Sequence, residues 1–248
     1  MADSGPNLPE GEITKRKLQF LWLADCSSSM DGRKIGALNQ AIREVLPEIK
    51  DLLRKRPECD LQMRVIKYSS IAEWHVGPDP EPIENFIWNP VTPSGLTHTA
   101  DAINLLCDEL EPERMKMIGR KQFRPICVLI SDGYCTQSEE DVERAIARLN
   151  SLYYGEKAIR LAIGVGDESD YNEAELLKFV NHPEIGVLKS HSPGELIRHM
   201  KFIAMSSIRT ASNPVNTPAG STGIENQPVL DQPDWGAPDA EDQDFVAF

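Results

Sequence analysis

Leu18-Gln19-Phe20-Leu21-Trp22-Leu23-Ala24-Asp25-Cys26-Ser27-Ser28-Ser29 is the stretch whose reading decides the fold. The apolar run 18–24 predicts a buried strand. Directly after it come short side chains that carry oxygen, and then an amphipathic segment. In an open α/β sheet, ligands bind outside the carboxyl ends of the strands. Asp25, Ser27 and Ser29 alternate as D-x-S-x-S, so their side chains can converge on one point. Hard oxygens meeting there suit a small divalent cation such as Mg²⁺, which takes few protein ligands and keeps several waters. The plainer alternative is a helix start rich in caps, since Ser and Asp are favoured there.

Two further segments bear on that choice. Ser94-Gly95-Leu96-Thr97-His98-Thr99-Ala100-Asp101-Ala102-Ile103 opens a second helix, and Ile126-Cys127-Val128-Leu129-Ile130-Ser131-Asp132-Gly133 is an apolar strand ending in Asp-Gly. Thr97 and Asp132 stand at a helix start and a strand end. The set resembles the metal-ion-dependent adhesion site (MIDAS) of von Willebrand factor A domains. There, D-x-S-x-S is followed by a Thr after a Gly-containing turn and by an Asp in a T/S-D-G strand end. By that resemblance Asp25, Ser27, Ser29, Thr97 and Asp132 are the ligands, some acting through water. It covers residues 17–208. Cys26 departs from the small residue or Thr usual at that non-ligand position.

The resemblance implies a doubly wound α/β fold with a mostly parallel sheet, one antiparallel edge strand and helices on both faces. It also implies a binding mode: Mg²⁺, with Mn²⁺ or Ca²⁺ as substitutes, joins the domain to an Asp or Glu of another protein. Within the family, the S-G-L-T-H-T-A-D-A-I block and the R-P-I-C-V-L-I-S-D-G strand are most similar to bacterial tellurium-resistance (TerY-type) proteins. That implies a stress-response or signalling complex with a Ser/Thr kinase and a PP2C-type phosphatase. The expectation is an interaction module, not an enzyme, because no general base or positioned nucleophile stands in these motifs. Two alternatives stay open. One is a Mg²⁺-dependent phosphohydrolase, which needs an Asp nucleophile and a Lys or Arg clamp; only Arg33 lies near the motifs. The other is a folded domain with a vestigial metal site.

Composition bounds the rest. Net charge is −13 over 248 residues, with no basic stripe, which argues against nucleic acid and anionic lipid as partners. The five cysteines, at 26, 59, 107, 127 and 135, are odd in number, and none pairs at metal-ligand spacing. Most lie in apolar segments, as in a reducing compartment. The first 16 residues are polar, with no apolar run like that of a secretion signal. A flexible leader (1–16) and a cytoplasmic location are expected.

Helical spacing over 34–53 is interrupted by Pro47, where a kink or early break is expected. A strand over 61–68 is followed by an antiparallel partner over 72–76. Residues 77–93 carry five prolines and are expected to be loop, with a short edge segment near 86–88; Trp74, His75 and Trp88 are expected to pack the sheet edge. Helices are expected over 99–110, 138–149, 173–180 and 192–207, with strands over 126–131, 158–164 and 186–189. Gly164-Val165-Gly166-Asp167-Glu168 lacks the third glycine of a dinucleotide loop and is set aside. His98 is expected to face solvent. Residues 209–248 hold seven acids and one base without periodicity, an acidic tail expected to be disordered. Its Trp235 and Phe245-Val246-Ala247-Phe248 suggest a docking motif, and its acids suggest an internal mimic of a partner carboxylate.

Overall fold

The structure is a computed structural model that describes residues 15–57, 59–118, 123–167 and 170–212. Six strands form one sheet in the order β3-β2-β1-β4-β5-β6: β1 Arg16–Asp25, β2 Cys59–Tyr68, β3 Ala72–Pro82, β4 Ile126–Ser131, β5 Ile159–Val165 and β6 Val187–Ser190. All neighbours run parallel except β3, which is antiparallel to β2. The helices are α1 Arg33–Arg54, α2 Thr99–Glu109, α3 Pro112–Ile118, α4 Glu139–Ser151, α5 Tyr153–Lys157, α6 Glu173–Phe179 and α7 Pro193–Ser212.

The near-continuous apolar character of β1 follows from burial on both faces. Phe20, Trp22 and Ala24 join a core with Ile42 and Val45 of α1 and with Met200 and Ile203 of α7. Leu21 and Leu23 point the other way, into a second core with Ile103 and Leu106 of α2, Val142 and Leu149 of α4 and Leu176 of α6. The alternation of side chains across a strand sends successive residues to opposite cores.

Four expectations differ from the structure. First, α1 runs on through Pro47, because packing of its apolar stripe outweighs one lost backbone bond. Second, the proline-rich stretch extends β3 to Pro82. This edge position tolerates Pro, since N–H groups on its outer side have no ladder partner to lose. Residues 86–88 form no strand; Phe86 and Trp88 are instead buried, and Trp88 stacks edge-on against His75 at 4.6 Å. Third, the short α5 had no counterpart in the sequence reading. Fourth, α7 continues to Ser212, into the first residues read as tail. Most of the leader and the rest of the tail lie outside the described residues.

Among the described residues no helix is long and apolar enough to cross a membrane. The cysteines are free, and all but Cys135 are buried. Burial pushes the thiols of Cys26 and Cys127 up to about 12 and that of Cys107 to about 11. They therefore act as small hydrophobes rather than as thiolate ligands.

Candidate metal centre

The strand order diverges at β1 and β4: the chain leaves β1 for β2 on one side, and β4 leads to β5 and β6 on the other. This is the topological switch point, where α/β sheets form a crevice beyond the strand ends. Ala24 pairs with Ile130 in the parallel register, so the next residues, Asp25 and Ser131, end the two strands side by side. Asp132 follows.

Backbone bonds between loops draw the three motifs together. Ser28 N donates to Gly95 O at 3.1 Å, and Ser94 N donates to Cys26 O at 2.8 Å. Thr136 N, just after the Asp-Gly turn, donates to Thr97 O at 2.9 Å, and Thr97 N donates to Thr136 Oγ1 at 3.0 Å. Asn172 N holds Asp132 O at 2.8 Å. Gly133 allows the turn after Asp132 with φ of 75°. A Cβ there would come within 2.6 Å of the Asn172 carbonyl, so this turn requires glycine.

Of the five candidate ligands, Asp25, Ser27, Thr97 and Asp132 are buried, and Ser29 is exposed at the mouth. The Ser27 and Ser29 hydroxyl oxygens lie 3.0 Å apart. Asp25 is fixed at both oxygens: Oδ1 accepts from Ser27 N at 2.8 Å, and Oδ2 accepts from Ser131 Oγ at 2.6 Å. Burial is the main cause that raises the Asp25 carboxyl to about 6. The Ser131 and Ser27 bonds oppose the shift, and the nearby Asp132 charge adds to it. The crevice thus holds two carboxylates close enough to feel each other, in surroundings where a charge is expensive. A divalent cation would relieve both costs.

The donor set is oxygen only. Among the described residues no group of three His, Cys, Asp or Glu is placed to hold an ion, so a metal here would rest on two carboxylates and hydroxyls. That chemistry fits a hard cation. His98 is half-buried and lies 3.2 Å from Asp101 Oδ2, within the second loop and not in the donor set.

Two participants escaped the sequence reading. Ser131 was seen only as part of S-D-G, yet it orients Asp25 and accepts from Gly133 N at 2.8 Å. Lys34 reaches Asp132 Oδ2 at 3.0 Å, whereas the sequence motifs point only to Arg33 beside it. The available signal was a lysine in the first turn of the helix that follows D-x-S-x-S.

No curated protein matches the chain. Two of the solved structures that resemble it serve as examples. One is a von Willebrand factor type A protein from Catenulispora acidiphila (TM-score 0.57, 16% identity, 78% of this chain and 43% of that one). The other is proximal thread matrix protein 1 from mussel byssus with a zinc-occupied MIDAS motif (TM-score 0.55, 16% identity, 79% of this chain and 47% of that one). This chain spans less than half the length of either, and identity so low speaks to the fold alone. The von Willebrand factor type A domain model matches residues 21–196, a span that contains all five candidate ligands, and the chain belongs to that family.

Proposed function

We propose that this chain is a metal-dependent protein-interaction module. Asp25, Ser27, Ser29, Thr97 and Asp132 would hold a divalent cation, with Mg²⁺ the first candidate and Mn²⁺ or Ca²⁺ as substitutes. The mussel neighbour carries zinc at its motif, and Zn²⁺ also accepts carboxylate oxygen, so it belongs in the test. An Asp or Glu of the partner would complete the ion's shell. The observation that carries this reading is the convergence of three separate motifs on one crevice, with two buried carboxylates and a hydroxyl-lined mouth.

Ile71, Leu96 and Tyr134 are exposed around the same end of the sheet, at 63%, 54% and 44%. Leu96 and Tyr134 stand within two residues of Thr97 and Asp132. A partner that presents an acid flanked by apolar side chains fits this rim. The TerY-type likeness, and with it a kinase and a PP2C-type phosphatase as partners, rests on the sequence blocks alone and names the first proteins to try.

The phosphohydrolase alternative gains a cation from Lys34. It lacks a free nucleophile, because both Asp25 oxygens are engaged and Asp132 Oδ2 is held by Lys34. We therefore favour a non-enzymatic role. The decisive experiment titrates Mg²⁺, Mn²⁺, Ca²⁺ and Zn²⁺ calorimetrically into wild type and Asp25→Ala. It then compares binding of the candidate partners with and without EDTA. Identical titrations for the two proteins, or EDTA-resistant partner binding, would overturn the reading.

A further inference from the structure

Lys34 sits in the first turn of α1, next to Arg33, and that turn holds no acidic residue. Cations are disfavoured at a helix N-terminus, where the dipole is positive. Something other than helix stability accounts for this placement. The ammonium bridges two acceptors, Asp132 Oδ2 at 3.0 Å and the Asp170 carbonyl at 3.0 Å, and the side chain is only 18% exposed. Its stem crosses Gly166, whose φ is 128°. A Cβ at Gly166 would lie 3.0 Å from Lys34 Cε and 2.9 Å from Asp170 Cβ. The bare backbone there leaves the lysine its path to Asp132.

On its outer side Lys34 lines a cleft of about 660 Å³ between α1 and the ends of β5 and β6, where Asp31, Asp167 and Asp170 also stand. An ammonium that leaves Asp132 has acids within the same cleft to receive it.

We propose that Lys34 is an internal cation that competes with the divalent metal for Asp132 and sets the metal affinity of the site. The inference rests on the metal-site reading above. A metal that draws on Asp132 Oδ2 must share or displace the ammonium, so Lys34 weakens metal binding. The same charge, retained beside a loaded site, adds to its attraction for an anionic partner. Asp25, Asp132 and a divalent ion cancel one another, and Lys34 adds a positive charge directly beside them. Metal and partner carboxylate then support each other's binding, a reciprocal coupling, and the module engages when both are present.

The test compares wild type with Lys34→Met, Lys34→Gln and Lys34→Arg. Mg²⁺ and Mn²⁺ are titrated calorimetrically, and melting temperature is measured in EDTA and in saturating Mg²⁺. Lys34→Met is expected to bind Mg²⁺ at least about tenfold more tightly than wild type. Its melting temperature should fall in EDTA and recover in Mg²⁺. Lys34→Arg keeps the charge and should bind as weakly as wild type. Lys34→Gln keeps polar contacts without the charge, and it carries the comparison if Lys34→Met fails to fold. Equal or weaker metal binding by the neutral variants, with the same stability loss in EDTA and in Mg²⁺, overturns this proposal and leaves the metal site standing. Absence of metal binding in every protein, wild type included, overturns both.

Discussion

Ser131 of β4 donates its hydroxyl to Asp25 Oδ2 of β1 at 2.6 Å, so the two strands that flank the switch point are joined at their ends by a side-chain bond that also aims the first ligand. Both residues are buried. Hydrogen bonds to charged groups contribute about 1.5–3 kcal/mol. Ser131→Ala should therefore lower stability by about 2 kcal/mol and weaken metal binding several-fold. Urea denaturation with a parallel metal titration checks both. A variant that keeps its metal affinity would show that Ser131 does not position Asp25.

Asp25 and Asp132 are both buried, but only Asp132 has a cation at contact distance. Neutralising Asp25 removes a buried charge whose burial is costly. Asp25→Asn should thus be more stable than wild type in EDTA and should gain nothing from Mg²⁺. Asp132→Ala removes the partner of Lys34 and should lower stability in EDTA. Differential scanning calorimetry separates the two by sign; a stabilised Asp132→Ala would mean that Lys34 does not offset its charge.

His199 lies buried on α7, and burial, reinforced by the charges of Arg198 and His191, lowers its pKa from 6.5 to about 4. The folded state therefore disfavours the charged ring. Between pH 6.5 and 4 the unfolded chain binds more protons, so stability falls on acidification through that window. The shift corresponds to about 3 kcal/mol. Asp25 works in the opposite direction: its carboxyl is raised in the fold, and its contribution grows as pH falls through about 6. Subtracting a His199→Leu pH series from wild type isolates the histidine. The difference between the two proteins should change by about 3 kcal/mol from pH 7 to 4, and a constant difference would count against the shift.

The acidic segment beyond α7 should be dispensable for folding, since its sequence carries no apolar periodicity. The cut belongs after Ser212, because α7 continues that far and Ile208 is buried. A protein ending there should keep its melting temperature. A docking role for Trp235 and Phe245-Val246-Ala247-Phe248 predicts weaker partner binding on truncation. Tail acids that occupy the metal predict tighter binding, with a chain of about 36 residues spanning about 33 Å. Unchanged affinity would rule out both.

The sheet was legible because its central strands are buried on both faces, which writes them as near-continuous apolar runs such as 18–24 and 126–130. The antiparallel partner of β2 was also legible, as a second strand over 72–76 directly after the first. Its length was not, because prolines 78, 80 and 82 look like loop until the strand is known to lie at an edge. The five candidate ligands could be picked out by resemblance, because the three motifs stand at strand ends and a helix start in the order the family's metal site has them. Lys34 could not be: its partner Asp132 is 98 residues away, and its place in the first turn of a helix names no partner by itself. Ser131 was hidden by its neighbour, since a serine inside a strand end shows no role until the adjacent strand is placed.

The prolines of β3 have a consequence for colloidal behaviour. This strand is the longer open edge of the described sheet; β6, at the other side, has four residues. An open edge invites a strand from another molecule. Pro78, Pro80 and Pro82 remove amide donors from that edge, and Asp79 and Glu81 place charge along it. The same stretch that looked like a loop in the sequence disfavours joining edge to edge when molecules are concentrated.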